Sequence, residues 1–519
     1  MPPTPEEAVF LPASELRDLY RQRLLSPVEV TEAYIDRIEA CNPSINAYVT
    51  LTFDLARQRA AESETRYRSG QALPLDGIPT AIKDLFDFLA GVKNTFGSVV
   101  FKDIVDFIPD HSAIYVQRML DAGIVPLGKT NTPEFGHKGV TDNLAWGPTS
   151  TPFNLDYNAG GSSGGSAAAV GAFMAALSQG SDAGGSVRIP AAMTGTVGFK
   201  MTFGRVPQDL PVMTHTPFLH PGPITRTVTD CAMLAEVMAD PWSMDPHSLS
   251  VDQNYTAHLS ASIAGMRFAF NPNADVFPVE SAVDQVVREA LEALCKAGAT
   301  VDEVPLGLAD IAVTDTAGSH PYTQADGSDL WLMEQSVLYA HANDMLMQVT
   351  PGGPPPLDLR AFAADLTPEF LAMIERGYAT DAVTYRHGEF LRMNGASGTN
   401  GINFALESVL SDYNFIVTPT VAVTGVANAE GGNTLGPTEI NGVTVDPQIG
   451  WCLTYLQNFT GHPAISVPAG LAADGLPVGL QIMGRRWADG SVLRAARAVE
   501  QYRPWYQLYP KTCGIGTQL

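Results

Sequence analysis

The chain has 519 residues, 45% hydrophobic and 17% charged, a balance that suits a globular protein with a large core. Its 31 Lys and Arg against 55 Asp and Glu give a formal net charge of −24. A groove that neutralises phosphates needs clustered Lys and Arg, and no such run is present, which disfavours nucleic-acid binding as a main function.

The first 25 residues are punctuated by Pro, Glu, Asp and Arg, unlike a secretory leader. From Ser14 to Arg68 the pattern reads as helices. "SPVEVTEAYIDRIEACNPSINAY" opens with a Ser26-Pro27 cap signal and sets Val30, Tyr34, Ile35 and Ile38 on one face. Two later segments share another pattern, an amphipathic helix, a glycine stop and a strand. "HSAIYVQRMLDAGIVPLGKTN" stops at Gly123, and "SAVDQVVREALEALCKAGATVDEV" stops at Gly298. The second follows the strand-like "MRFAF", which predicts a β-α-β unit. "AGGSSGGSAAAVGAFMAALSQGSDAGGSVRIPA" (Ala159–Ala191) sets two serine-glycine loops around a small apolar helix containing Ala167, Val170, Phe173, Met174 and Leu177. From about Leu306 to Thr399, helical segments rich in Met and aromatics, broken by "TPGGPPPLD", predict an insertion or lid. "VTGVANAEGGNTLGPTEINGVTVD" is a long glycine-rich loop, and "FIVTPT", "AISVPAG" and "VGLQIMG" are further strands. The expected fold class is α/β, a central mixed β-sheet covered by helices on both faces, in one domain. Its parts are an N-terminal helical segment (1–69), a catalytic core (77–305), a helical insertion (306–399) and the C-terminal part of the core (400–519).

No apolar run reaches the roughly 18 residues of a membrane span. The five cysteines (Cys41, Cys231, Cys295, Cys452 and Cys513) are odd in number and scattered, so neither a zinc site nor a disulfide framework is signalled. A cytoplasmic protein is expected.

The serine loops carry the chemistry. Gly160-Gly161-Ser162-Ser163-Gly164 formally fits a nucleophile elbow, but that elbow follows a strand, and "FNLDYNAGG" is a poor one. A phosphate loop fails because no Lys-Ser or Lys-Thr follows the glycines. In Gly184-Gly185-Ser186, consecutive glycines let backbone N–H groups converge beside a serine hydroxyl, the requirement of an oxyanion hole. A serine is a weak nucleophile without a base, and this stretch holds no His or Lys. Lys83, within the apolar run of "LDGIPTAIKDLFDF", is the candidate. A buried lysine has its pKa lowered and can accept the serine proton, directly or through a second hydroxyl.

With these blocks in view, the chain resembles the amidase signature family of serine hydrolases. The matching pieces are "GIPTAIKDLFD", "GKTNTPEFG", "GGSSGGSAAAV", "GSDAGGSVRIPA", "GFKMTFGRV", "NFTGHPAISVPAG" and "GLPVGLQIMG", in the family's order from Gly77 to Gly484. The resemblance implies a Ser–cis-Ser–Lys triad. Ser186 is the expected acyl-forming nucleophile, Ser162 the bridging serine after a cis peptide bond, and Lys83 the base. The N–H groups of Ala183, Gly184, Gly185 and Ser186 are the expected oxyanion hole, with Ser163, Asp182 and Arg188 in support. No metal or organic cofactor is implied. Ser181, Val187, Met201 and Ala159 depart from the family pattern, in places that touch loop rigidity more than chemistry.

The rival within the family is the glutaminase-type A subunit of a tRNA-dependent amidotransferase, whose site needs an acid that "QIGWCLTYLQNFTGHP" lacks after Asp446. Trp451, Leu453, Tyr455 and Phe459 suggest an apolar or aryl-tolerant pocket, and Trp331, Met333, Tyr339, Met345 and Met347 of the insertion point the same way. The expected partner is therefore a small amide or carbamate substrate: an aliphatic or aryl amide, an anilide, a urethane or a cyclic amide. Neither nucleic acid nor a membrane is expected as a partner, and the protein is expected to be a monomer or homodimer. The alternative outside enzymes is a catalytically silent scaffold subunit.

Overall fold

The computed structural model describes residues 2–209, 218–249, 254–315, 318–348, 353–393 and 401–512. An eleven-stranded sheet runs through it. Its strands, in chain order, are β1 (Tyr48–Leu51), β2 (Pro79–Lys83), β3 (Val125–Thr130), β4 (Leu177–Asp182), β5 (Val197–Lys200), β6 (His220–Thr225), β7 (Arg267–Phe270), β8 (Thr300–Glu303), β9 (Phe415–Pro419), β10 (Ala464–Leu471) and β11 (Pro477–Gly484). Across the sheet the order is β1-β3-β2-β4-β6-β5-β10-β11-β9-β7-β8. β2 lies parallel to both β3 and β4, and β7 parallel to β8 and β9. The remaining pairings are antiparallel, so the sheet is mixed.

Alternate residues of a strand face opposite sides of its sheet, and here both sides are buried. Phe268, Phe270, Phe415 and Val417 enter one apolar cluster, while the intervening Ala269 and Ile416 enter another. The first cluster is covered by helices that include Pro27–Ile45, Ser281–Lys296 and Asp489–Tyr502. The second is covered by Gln324–Leu346, Pro368–Ala379 and Tyr455–Thr460.

The patterned helices form where the sequence places them. Ser26 Oγ accepts from the N–H groups of Val28 and Glu29 and caps Pro27–Ile45. Ile114–Asp121 and Ser281–Lys296 both end before their glycines and lead into β3 and β8. The second of these joins the parallel strands β7 and β8, the expected β-α-β unit.

Other stretches differ from the reading. β1 interrupts the N-terminal helices, because the segment finds a partner in β3 that local pattern does not reveal. The helix between the serine loops covers only Gly164–Gly171, and Leu177 opens β4 instead. Asn154–Asn158, a poor strand by composition, pairs with Ser150–Thr151 outside the main sheet. Cys41 is disulfide-bonded, which no spacing signalled, whereas Cys231, Cys295 and Cys452 are free. The glycine-rich loop is pinned: Asp142 Oδ2 accepts from Thr434 N and Oγ1, and Lys138 Nζ donates to Thr434 O. Thr350–Gly352, 394–400 and Cys513 lie outside the described residues.

Candidate active site

The parallel pairing of β2 with β4 sets the site. It aligns Ala81 with Ser178, so the carboxyl ends of both strands emerge at one edge, the place where α/β sheets bind ligands. Lys83 ends β2 and Asp182 ends β4. Lys83 is fully buried, with Nζ 2.8 Å from Ser162 Oγ and 3.1 Å from Ser181 Oγ. Its environment is apolar on the strand side, where Ile82 and Ala81 are also fully buried. That burial pulls the Lys83 ammonium down to about 8, against the opposing pull of Asp87 and Asp182.

Ser162 follows a cis peptide bond from Gly161. Ser163 N donates to Ser186 O at 3.1 Å, which ties the first serine loop to the second. Ser186 is 7% exposed and Ser162 3%, so both serines are almost wholly shielded from solvent. Gly185 has φ +127°, a conformation open to glycine. A Cβ there, or on Gly184, would collide with Thr454 or Trp331 respectively. The turn therefore needs both glycines for close packing as well as for backbone shape. Thr454 Oγ1 donates to Gly184 O at 2.5 Å, and Trp331 Nε1 donates to Ala183 O at 3.1 Å. With their carbonyls so engaged, residues 183–186 are held in one conformation.

Asp182 organises the same turn from below. Its carboxylate accepts from Gly185 N at 2.7 Å and Val187 N at 3.2 Å. It also accepts a two-pronged contact from Arg188, Nε to Oδ2 and Nη2 to Oδ1, each 3.0 Å. Both partners are fully buried. Arg188 Nη1 donates further to Gln457 Oε1 and Gln481 Oε1, and Nη2 to Asn458 Oδ1. Asn458 Nδ2 closes the network on Asp182 at 2.8 Å. Burial alone would raise the Asp182 pKa, but the charge and hydrogen bonds of Arg188, with Asn458 and Lys200, hold it well below the usual carboxylate range.

Asp182→Asn keeps the shape and strands the guanidinium. Removing one partner of a buried pair costs about 3–5 kcal/mol, and chemical denaturation should read a loss of that order, with activity falling alongside as the turn loosens. The sign with pH follows from the depressed pKa. The pair's contribution is present above the ordinary aspartate range and is lost only as pH falls through the lowered value, so wild type and Asp182→Asn should converge only in strong acid.

Of the residues singled out in the sequence, Lys83, Ser162, Ser163, Asp182, Ser186 and Arg188 come together here. Trp451, Leu453, Tyr455 and Phe459 are buried in the second apolar cluster. Trp451 packs on Gly139 and Gly436, while Tyr455 lies 5.7 Å from the Phe277 ring and 5.5 Å from that of Phe459. Thr454, Gln457, Asn458 and Gln481 join the site without a part in the sequence reading; Asn458 and Gln481 fall within the blocks "NFTGHP" and "GLQIMG", but nothing in those blocks tells what the two amides bind. Among the described residues, no group of three His, Cys, Asp or Glu is placed to hold a metal ion, and no helix is long and apolar enough to cross a membrane.

A family model described as Amidase matches residues 29–493. An acylamidase from Rhodococcus erythropolis is 35% identical over 98% of each chain. A glutamyl-tRNA(Gln) amidotransferase subunit from Thermoanaerobacter pseudethanolicus is 31% identical over 95% of this chain and 97% of its own. Among solved structures, a bacterial aryl acylamidase of the amidase signature family superposes with a TM-score of 0.88 at 37% identity, covering 96% of this chain and 98% of its own. A 6-aminohexanoate cyclic dimer hydrolase follows at 0.81 and 27%, over 96% and 98%. These similarities define an amidohydrolase with a central mixed sheet flanked by helices. The chain belongs to the amidase signature family.

Proposed function

We propose that this amidase cleaves small apolar or aryl amides, anilides foremost, through an acyl-enzyme on Ser186. The observation that carries the reading is the fully buried Lys83 Nζ, 2.8 Å from Ser162 Oγ in a loop bonded to the Ser186 backbone. Neutral Lys83 takes the proton of Ser162 as Ser162 takes that of Ser186, and Ser186 Oγ attacks the substrate carbonyl carbon. The N–H groups of Ala183, Gly184 and Ser186 receive the developing oxyanion, for which a preorganised turn costs no rearrangement at the moment of reaction; Gly185 N–H, expected among these donors, is instead committed to the Asp182 carboxylate. The C–N bond breaks as the leaving nitrogen takes the proton back through Ser162. Water then attacks the ester by the same relay and releases the acid and free Ser186. Asp182 and Arg188 hold the turn, and no metal or organic cofactor enters a step.

Carbamates and cyclic amides belong to the same proposal because they present the same carbonyl to the same nucleophile. The similarity to an acylamidase and an aryl acylamidase supports the apolar preference. The protein works as a monomer or homodimer in one domain, whose insertion holds the helices Gln324–Leu346, Pro368–Ala379 and Ala382–Arg392 beside the paired strands Ala312–Asp315 and Gly318–Pro321. The free Cys231, Cys295 and Cys452 fit a cytoplasmic location, while the disulfide at Cys41 runs against it.

A substrate panel on the isolated chain tests the reading: anilides, aliphatic primary amides, aryl carbamates and glutamine. Anilides or aryl carbamates should exceed glutamine in kcat/KM by a factor of at least about 100, because a buried site without matching charges rejects a zwitterion heavily. Efficient release of ammonia from glutamine at micromolar KM would overturn the proposal in favour of the amidotransferase reading.

A further inference from the structure

The helix Gln324–Leu346 touches the Ser186 turn and, along the same stripe, Phe135 next to the Ser162 loop. Trp331 Nε1 bonds Ala183 O, at the start of the Ser186 turn. Two turns on, the Tyr339 hydroxyl donates to Phe135 O at 3.1 Å. Phe135 precedes Gly136, where an added Cβ would stand 3.2 Å from Ser162 Oγ. At about 100° per residue, Gln335 lies about 40° round the helix from each of these anchors and about 6 Å along the axis from each. It is the residue of the stripe that lies midway between the anchor on the Ser186 turn and the anchor on Phe135.

The neighbours of Gln335 are directed elsewhere. The Glu334 carboxylate meets Arg392 at 3.6 Å, towards the helix Ala382–Arg392. The backbone of Ser336 packs against Gly377 of the helix Pro368–Ala379. Gln335 itself is 1% exposed, and its Nε2 is buried without a hydrogen-bond partner. Buried amide donors are nearly always paired in native proteins, so an unpaired one on the helix stripe between these two anchors is suited to a ligand acceptor.

We propose that Gln335 is a specificity residue whose Nε2 donates to an oxygen of the substrate beyond the scissile carbonyl. The substrate class is then an amide or carbamate carrying an ether- or ester-type oxygen on its acyl or its leaving side. The inference rests on Ser186, Ser162 and Lys83 being the reacting centre.

Two isosteric substrate pairs test it and separate the two sides. The acyl pair is N-(4-nitrophenyl)methoxyacetamide against N-(4-nitrophenyl)butanamide, and the leaving pair is 4-methoxyacetanilide against 4-ethylacetanilide. Wild type should favour the oxygen-bearing member of one pair by about tenfold or more in kcat/KM. Gln335→Leu should erase that preference while leaving the apolar member unchanged or faster, and Gln335→Met should repeat the result if the leucine variant folds poorly. A ratio unchanged by substitution in both pairs would overturn the proposal. So would an equal fall for both members, which marks a merely structural role. If wild type cleaves none of the four and a fluorophosphonate leaves Ser186 unlabelled, the reading of the reacting centre fails, and this inference with it.

Discussion

Ser186→Ala should abolish amide turnover, with kcat falling by about four to six powers of ten while the fold survives. The chemical reason is that the substitution removes the oxygen that forms the acyl bond and leaves no hydroxyl between the oxyanion turn and Ser162. The structural reason for survival is that the contact joining the two serine loops is made by backbone, Ser163 N to Ser186 O. The side chain removed is small, and the turn retains Asp182, Thr454 and Trp331 as anchors. Thermal unfolding should therefore move by a few degrees at most. Mass spectrometry after fluorophosphonate treatment should place the adduct of wild type on Ser186 and find none on the variant. An adduct on Ser162 would exchange the two serines in the mechanism and revive the nucleophile-elbow reading, for which the strand Asn154–Asn158 and the helix Gly164–Gly171 supply a strand-turn-helix frame.

The parts of the fold that could be read from the chain are those where local pattern and tertiary environment agree. Ser281–Lys296 sets Val283, Val286, Val287, Ala290, Leu291 and Leu294 at helical spacing, and all but the half-buried Leu291 are buried. The β4 strand is the opposite case. "LSQGSD" holds no β-branched residue and continues an apolar stretch that reads as helix, yet it lies between β2 and β6 with every residue buried. Ser178 and Asp182 find partners only in the folded state, Ser178 Oγ donating to Ala81 O and Asp182 meeting Arg188. Strand preference of this kind is set by context more than by residue type.

The site divides in the same way. Lys83 could be singled out because a cation inside an apolar run is costly unless it has work to do, and Ser162 and Ser186 because consecutive glycines bracket them. Asn458 and Gln481 could not be assigned a part, because their meaning lies in Arg188, 270 and 293 residues away along the chain. A single sequence carries no record of such pairings. Thr454 was hidden for another reason. Its contact with Gly184 follows from the entry of the short helix Tyr455–Thr460, and "WCLTYLQNF" reads as apolar core with one unremarkable threonine.

Lys83→Ala should cost about three to five powers of ten in kcat on amides, because a serine hydroxyl needs a base and none replaces the amine. The pH profile carries the sharper test. Burial pulls Lys83 down to about 8, and only the unprotonated amine accepts a proton, so wild-type kcat/KM should rise with pH and level off above that value. Lys129 and Lys138, both buried, are drawn down to about 8 as well, so the inflection must be assigned by its loss in Lys83 variants and its persistence in Lys129→Met. Lys83→Ala should lose the inflection and recover part of its rate as hydroxide rises. Amides should suffer more than esters, since an amine leaving group must be protonated and a phenoxide needs less help. The same depressed pKa has a sign in stability: between about 8 and the unfolded value of about 10.4 the unfolded chain binds a proton that the native state does not. Wild type should therefore gain stability relative to Lys83→Met as pH rises across that interval, and carry the full cost of the buried charge below it. Lys83→Arg keeps a charge that no accessible pH removes, so it should remain as inactive as the alanine variant. Near-normal amidase activity in Lys83→Arg, with the profile unchanged, would make Lys83 an electrostatic prop and end the proton relay through Ser162.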